Sequence, residues 1–149
     1  DEQGVVTRFH AVHLGVATQT DKGLMVPVLR DAQRLDVHQI AAGITDLAVR
    51  GRAGTLARDE LTGSTITVTS LGKLGGIAAT PIINRPEVAI VAPHRIVERC
   101  LWNGHAAEPR KIMNISISCD HRIIDGQDAA LFVQALKALL EQPMSLGLI

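Results

Sequence analysis

One histidine in this chain lies in a setting where an imidazole can do chemistry. His121 lies within the run Cys-Asp-His-Arg-Ile-Ile-Asp-Gly at residues 119–126, between an alternating apolar stretch and a pattern of helical period. Near pH 7 a neutral imidazole is the usual general base, and Asp125, four residues on, can hold the loop or the ring in place. The alternative is a polar turn between a strand and a helix, in which Asp125 is the helix N-cap.

Hydroxyl groups form a second set of candidates, at the end of a β-branched run. Thr67 and Thr69 are two residues apart, so they should share one face of a strand, where a hydroxyl can donate to an oxyanion. The alternative is that threonine is there only for its β-propensity. The glycines of residues 72–76 match neither the P-loop nor the dinucleotide fingerprint, so we interpret them as permitting positive φ and close backbone approach.

The histidines and cysteines predict no metal site. His10 and His13 lie in an extended run, where they should point to opposite faces, and no Cys/His cluster completes a ligand set. Cys119 and His121 are two apart and can share a face at a strand end. A thiol nucleophile with an adjacent base is one interpretation, and a packing cysteine, which we favour, is the other.

Composition narrows the class of protein. The 149 residues suit one domain, with 46% hydrophobic and 20% charged residues. Fifteen basic residues balance fifteen acidic ones and aromatic residues make up only 2%, which argues against nucleic acid or an anionic membrane as partner. No apolar run has spanning length, no signal peptide is visible, and two cysteines suit reduced thiols, so we expect a cytoplasmic protein, or a mitochondrial matrix protein in a eukaryote.

The predicted elements that must position these side chains are two long helices and six strands. One helix follows an N-cap at Asp36 and ends at Gly54. The other spans residues 127–141, and Pro143 ends it; its predicted apolar face contains Ala129, Phe132, Leu136, Leu139 and Leu140. The strand patterns cover residues 10–18, 24–29, 65–70, 87–92, 95–101 and 111–118. The chain starts with Asp-Glu-Gln-Gly rather than Met, so we expect a fragment or a processed chain.

Four runs, in order and with matching gaps, resemble the catalytic domain of dihydrolipoamide acyltransferases, the E2 components of 2-oxo acid dehydrogenase complexes. They are residues 23–28, 65–72 with Gly75 and Gly76, 80–90 and 118–126. The resemblance implies an α/β (α+β) fold of the chloramphenicol-acetyltransferase type, a mixed sheet with flanking helices. It also implies a homotrimer with active sites between subunits, and a larger cage joined through the apolar tail, residues 143–149.

The resemblance also implies the site. His121 is the expected general base, Thr69 the donor to the tetrahedral oxyanion, and Asp125 the residue that fixes the His121 loop through an arginine that the sequence does not identify. Coenzyme A is expected as a substrate and a lipoyl group as a carrier on a separate domain, with no metal. The residues expected to contact the substrate or CoA are Ser70, which stands where many members have Asn, Gly72, Thr80 and Asn84.

Partners and specificity follow from the same resemblance. Residues 1–149 are expected to be the C-terminal portion of the catalytic domain, with its N-terminal part absent and no lipoyl or peripheral-subunit-binding domain. The partners implied are a lipoyl domain, the E1 decarboxylase and the E3 dihydrolipoamide dehydrogenase. Branched-chain acyl groups are favoured; acetyl or succinyl specificity, or a non-catalytic cage scaffold, are the alternatives.

Overall fold

The computed structural model describes residues 5–146, which contain nine strands and two α-helices. In chain order these are β1 Leu14–Val16, β2 Thr18–Thr20, β3 Gly23–Met25, β4 Val28–Leu29, α1 Val37–Ala53, β5 Ile66–Val68, β6 Ala89–Pro93, β7 Val97–Trp102, β8 Ala107–Ile112, β9 Ile115–Cys119 and α2 Gly126–Glu141.

Five of the strands form one sheet in the order β4-β1-β5-β6-β9. β1, β5 and β6 run parallel, whereas β4 and β9 pair antiparallel at the two edges. The predicted mixed sheet is therefore confirmed. The interior strand β6 has residues 89–92 all buried, as expected for a continuous apolar run with a neighbouring strand on each side.

Helix α1 forms where its sequence signals place it. The Asp36 side chain accepts from the Gln39 backbone N–H at 2.7 Å while the Gln39 side chain accepts from the Asp36 backbone N–H, which completes a capping box. Gly54 follows the last turn with φ of 70°, a left-handed conformation that glycine adopts without steric cost. The helix contacts β2 and β4, and Leu47 is its buried apolar side chain.

Three of the six predicted strands prove to be interrupted. Residues 10–18 contain β1 and the start of β2, and residues 24–29 are divided between β3 and β4 because Pro27 has no N–H for a ladder. The pattern at 111–118 likewise covers the end of β8 and most of β9, with Asn114 in the gap. β7 and β8 form a separate antiparallel hairpin.

Helix α2 covers only part of its predicted apolar face. It contacts β9, yet none of its residues is fully buried: Ala129 and Leu136 of that face are half-buried together with Val133, whereas Phe132, Leu139 and Leu140 are exposed. The amphipathic pattern located the helix but not its orientation on the sheet. The helix ends at Glu141, and a short 3-10 turn follows at Pro143–Leu146.

The structure leaves the predicted docking of the apolar tail untested, because the side chains after residue 144 lie outside those it describes. Within the described part of the chain, neither helix combines the length and the apolarity needed to cross a membrane.

Candidate active site

His121 lies in a tight turn immediately after β9 and is exposed. The backbone of Asp120 fixes both sides of this turn: its N–H donates to the Val88 carbonyl at 2.8 Å, and its own carbonyl accepts from the N–H groups of Ile123 and Ile124 at 3.0 Å each. Since β9 ends at Cys119, His121 is not a strand residue. The predicted sharing of a strand face by Cys119 and His121 is therefore wrong, and Cys119 is a half-buried residue paired with Ala89.

The side chain of Asp120 also holds the His121 turn, a role that the sequence analysis missed. It accepts from the backbone N–H of Arg122 at 3.1 Å and from the Arg122 guanidinium at 2.6 and 2.9 Å. These hydrogen bonds, the side-chain ones above all, lower the pKa of Asp120 to about 2 and raise the pKa of Arg122. The signal in the sequence was an acid two residues before an arginine in a turn.

Asp125 stands where the turn becomes α2. Its side chain accepts from the Asp128 backbone N–H at 2.8 Å, so the N-cap interpretation of this residue is confirmed. Within residues 5–146 no arginine pairs with Asp125, so the expected ion pair stays a prediction. Among the described contacts of the Asp125 side chain, the helix cap fixes the distal end of the His121 turn.

The two threonines of the β5 segment have different surroundings. Thr67 is 1% exposed and its hydroxyl donates to Glu87 Oε1 at 2.8 Å. Thr69, just beyond the end of β5, donates its backbone N–H to the Val91 carbonyl at 2.9 Å. Its half-buried hydroxyl makes no hydrogen bond with any other residue that the structure describes. Of the two, only Thr69 therefore has a hydroxyl free for a reacting group.

Glu87 is the centre of a buried polar cluster that no sequence motif indicated. It is 8% exposed, and its Oε1 accepts from Ser64, from Thr67 and from Asn84 Nδ2 at 3.0 Å. Its Oε2 is buried and has no partner among the described residues. Asn84 Nδ2 also donates to the Ser64 hydroxyl oxygen at 3.4 Å, so both of its N–H groups are used inside the chain and the predicted CoA contact of Asn84 would have to use another of its atoms.

A glycine on the neighbouring strand β1 leaves room for the polar cluster around Glu87. A Cβ atom at Gly15 on β1 would lie 2.5 Å from the Thr67 hydroxyl oxygen, closer than any real contact. Glycine at position 15 therefore lets Thr67 turn toward Glu87.

Ser70 and Gly72 lie together at the carboxyl end of β5. The Ser70 hydroxyl donates to the Pro93 carbonyl at 2.9 Å and accepts from the Gly72 N–H at 3.1 Å. Gly72 has φ of 53°, which explains the glycine. Both residues line a cavity of about 420 Å³ together with Lys73, His94 and Arg95.

Thr80 is exposed, in a segment without regular structure. Thr80 is therefore accessible to a ligand, and its contact with CoA stays a prediction. Among the residues described, no group of three or more His, Cys, Asp or Glu side chains is placed to hold a metal ion.

One chain does not bring His121 and Thr69 together. Val68 on β5 pairs with Val91, so Thr69 lies level with the carboxyl end of β6; Cys119 on β9 pairs with Ala89, so His121 lies beyond the other end. At about 3.3 Å per residue, four to five residues separate their levels by roughly 13–16 Å along the strand direction. A site that uses both side chains cannot form within a single copy of this fold.

Comparison of the sequence with known proteins identifies the family of this chain. Residues 1–148 match the family model described as 2-oxoacid dehydrogenases acyltransferase (catalytic domain). The lipoamide acyltransferase component of the branched-chain alpha-keto acid dehydrogenase complex of Pseudomonas aeruginosa is 56% identical over 99% of this chain. The dihydrolipoyllysine-residue acetyltransferase component of the pyruvate dehydrogenase complex of the same organism is 43% identical over 87% of the chain. The chain spans 35% and 24% of the lengths of these two relatives.

A solved structure gives the same result for the fold. It comes from a study of the roles of a serine, a histidine and an asparagine in the catalytic mechanism of Azotobacter vinelandii dihydrolipoamide acetyltransferase. The two chains superpose with a TM-score of 0.92 at 39% identity, over 99% of this chain and 60% of the other. By sequence and by fold, the chain belongs to the 2-oxoacid dehydrogenase acyltransferases, whose catalytic domain residues 1–148 match.

Proposed function

We propose that this chain transfers an acyl group between coenzyme A and dihydrolipoamide, as part of the acyltransferase component of a branched-chain 2-oxo acid dehydrogenase complex. The branched-chain assignment is supported by 56% identity to a branched-chain relative against 43% to an acetyltransferase of the same organism. We further propose that the reaction takes place in the cytoplasm, or in the mitochondrial matrix for a eukaryotic chain.

The observation that carries this proposal is that three candidate site residues have the same spacing in sequence as three residues studied in a related enzyme. The serine, histidine and asparagine studied in the Azotobacter vinelandii enzyme are separated by the same two intervals as Thr69, His121 and Asp125 here. Threonine keeps the hydroxyl of serine, and aspartate keeps the side-chain oxygen with which asparagine can cap a helix. The exposed His121 and the unpaired hydroxyl of Thr69 are the two groups that the chemistry needs.

These residues define a proton-transfer sequence. His121 takes the proton from the thiol of CoA or of dihydrolipoamide, and the thiolate attacks the thioester carbonyl carbon of the partner. Thr69 donates a hydrogen bond to the oxyanion of the tetrahedral intermediate. As that intermediate collapses, His121 returns the proton to the departing thiolate. Holding both thiols in one site supplies proximity, so no acyl-enzyme is required.

The separation of Thr69 from His121 supports a site built from two copies of the chain. We propose a homotrimer, in which His121 of one subunit faces Thr69 of the next, and a larger cage of such trimers. The lipoyl group arrives on a separate domain, and the E1 decarboxylase and E3 dihydrolipoamide dehydrogenase complete the complex.

The cavity beside Ser70 and Gly72 suits an anionic substrate. Lys73 and Arg95 supply two cations to its wall, and His94 supplies an imidazole. Coenzyme A carries phosphate groups, which basic side chains bind through charge-assisted hydrogen bonds. We therefore propose that CoA enters at this end of β5 and reaches Thr69 from there.

The proposal is tested by transfer from isobutyryl-, acetyl- and succinyl-CoA to dihydrolipoamide, measured for the unaltered chain and for His121→Ala. We expect isobutyryl-CoA to be the best donor and His121→Ala to lower the rate by on the order of 10² to 10⁴. His38→Ala, an exposed histidine on α1, is the matched control and should leave transfer unchanged. Equal activity of His121→Ala contradicts the role of His121, and a folded, oligomeric chain without transfer indicates a scaffold.

A further inference from the structure

The segment of residues 77–80 has no secondary structure of its own, yet it carries Thr80. It follows the short 3-10 turn at Gly72–Leu74, and its four residues are exposed. An irregular, exposed segment samples many conformations unless side chains or backbone groups hold it. What fixes this segment therefore decides where Thr80 lies.

Two side chains from the start of β9 make that attachment. Asn114 Nδ2 donates to the Ile77 carbonyl at 2.7 Å, and the Ala79 N–H donates to the Ser116 hydroxyl oxygen at 3.4 Å. Both contacts join positions 37 residues apart in the sequence, so they are tertiary and not part of a local turn. We call Asn114 and Ser116 the loop clamp.

The loop clamp is tied to the cavity as well as to the loop. Ser116 Oγ lies 2.8 Å from Nε2 of His94, and the His94 backbone N–H donates to the Asn114 carbonyl at 3.0 Å. His94 lines the cavity that also contains Ser70 and Gly72. Asn114 and Ser116 thus connect the loop that carries Thr80 to the wall of the cavity.

Strand pairing alone does not account for this pair. Asn114 lies in the gap between β8 and β9, and asparagine is a residue that strands disfavour. Ser116 pairs with Ala92 through its backbone, and Ser118, two residues later on the same strand, makes no side-chain hydrogen bond to any described residue. The side chains of the loop clamp therefore serve the loop.

We propose that Asn114 and Ser116 are positioning residues that hold residues 77–80 so that Thr80 reaches coenzyme A. This inference rests on the proposed function. It assigns the two residues to the binding of CoA and not to proton transfer, because their contacts lie at the far end of β9 from His121.

Backbone hydrogen exchange of the full chain tests the attachment directly. In Asn114→Ala we expect amides of residues 77–80 to exchange about fivefold faster, since one hydrogen bond is lost, while β6 stays protected. Asn114→Asp keeps the shape without the N–H donor, so it should behave like Asn114→Ala. Ser116→Ala should have a smaller effect in the same direction, and Ser118→Ala is its matched control.

Steady-state transfer tests the purpose of the attachment. In Asn114→Ala the apparent KM for CoA should rise about fivefold while kcat changes by less than about twofold, because the loop clamp acts on binding. A fall in kcat at constant KM overturns the inference, and so does faster loop exchange without a change in KM. An exchange effect of Ser118→Ala equal to that of Ser116→Ala also overturns it.

Failure of the proposed function gives a different result. If the unaltered chain transfers no acyl group, calorimetric titration with CoA replaces the KM measurement. Weaker CoA binding by Asn114→Ala then supports the loop clamp, and equal binding overturns it, whichever reaction the chain performs.

Discussion

Thr69 and His121 lie at opposite ends of β6: Thr69 follows β5 and is level with the last residues of β6, whereas His121 follows the antiparallel β9 and lies beyond the start of β6. The order of the strands imposes this separation, because β5 and β6 are parallel and β9 runs the other way. Residues that directly follow β5 and residues that directly follow β9 therefore lie at opposite ends of the strands. A reaction that needs both residues must take them from two copies of the chain.

Mixed oligomers give the sharpest prediction from this separation. His121→Ala and Thr69→Ala should each be nearly inactive alone, whereas unfolding both together and refolding them as an equal mixture should restore activity. In a ring of subunits with shared sites, about a quarter of the sites then contain both native residues. Transfer by the mixture, as a fraction of the unaltered chain, is the measurement.

The control is the double variant that carries both changes, mixed with an equal amount of either single variant. No site in that mixture can contain both native side chains, so it should stay inactive. Recovery limited to the sum of the two separate activities would instead place both residues in one chain and contradict the shared site.

Asp125 gives a second prediction, because its structural task is the capping of α2. Asp125→Asn should retain stability and transfer, since asparagine caps a helix about as well as aspartate. Asp125→Ala should lower the free energy of unfolding by about 1 kcal/mol and loosen the turn that carries His121. Urea denaturation and the transfer rate measure the two effects.

The outcome also bears on the arginine that the family resemblance implies. A large loss of transfer in Asp125→Asn, with unchanged stability, would show that the negative charge matters, as an ion pair with an arginine requires. Equal behaviour of the two side chains would assign Asp125 to capping alone.

The sequence located those elements that end in a strong local signal. The cap at Asp36, the left-handed Gly54 and the cap at Asp125 each satisfy backbone groups within a few residues, so the pattern of residue types is sufficient. The breaks in the strands and the orientation of α2 depend on which neighbour each segment meets. Those contacts are long-range, and periodicity does not report them.

In the site, too, residues with a local sequence signal could be predicted and residues placed by long-range contacts could not. His121 and Thr69 could be chosen from residue type and from the resemblance, because their neighbours in sequence carry the signal. The cluster at Glu87 joins Thr67 of β5, Ser64 from the segment before β5 and Asn84 from the loop before β6, up to 23 positions from Glu87. A glutamate before a strand has no local mark of such burial, so it could not be predicted.

A third prediction concerns acid stability. Arg50 contacts Glu60 through two hydrogen bonds of 2.7 and 2.8 Å, and these lower the pKa of Glu60 from 4.5 to about 2. A carboxylate whose pKa is lower in the folded state stabilises the fold above the unfolded pKa, and this contribution is lost as pH falls. The window for Glu60 therefore runs from about pH 4.5 down to about 2.

Glu60→Gln should be less stable than the unaltered chain at neutral pH, and its stability should depend less steeply on pH across that window. Urea denaturation at several pH values measures both. Glu108→Gln, which breaks the exposed ion pair with Arg110 in the β7-β8 hairpin, is the matched control. An unchanged slope in Glu60→Gln would assign the acid sensitivity to other carboxylates, such as Asp120.

The two threonines of the β5 segment give the last prediction, because one hydroxyl is used by the fold and the other is not. Thr67→Val removes a donor from the buried Glu87 carboxylate and should lower the free energy of unfolding by about 1–3 kcal/mol. Thr69→Val removes a hydroxyl that makes no hydrogen bond to another residue in the range 5–146, so stability should change little. Transfer by Thr69→Val should nevertheless fall by about 10² to 10³ if that hydroxyl holds the oxyanion.

The pair is informative because each variant is the control of the other. Both replace a hydroxyl by a methyl group of similar volume, two residues apart. Equal losses of stability would mean that Thr69 has a structural role. A Thr69→Val chain with full transfer would exclude its hydroxyl from the reaction, and Ser70, the next residue, would become the candidate donor, because its hydroxyl oxygen can exchange the Pro93 carbonyl for an oxyanion as its acceptor.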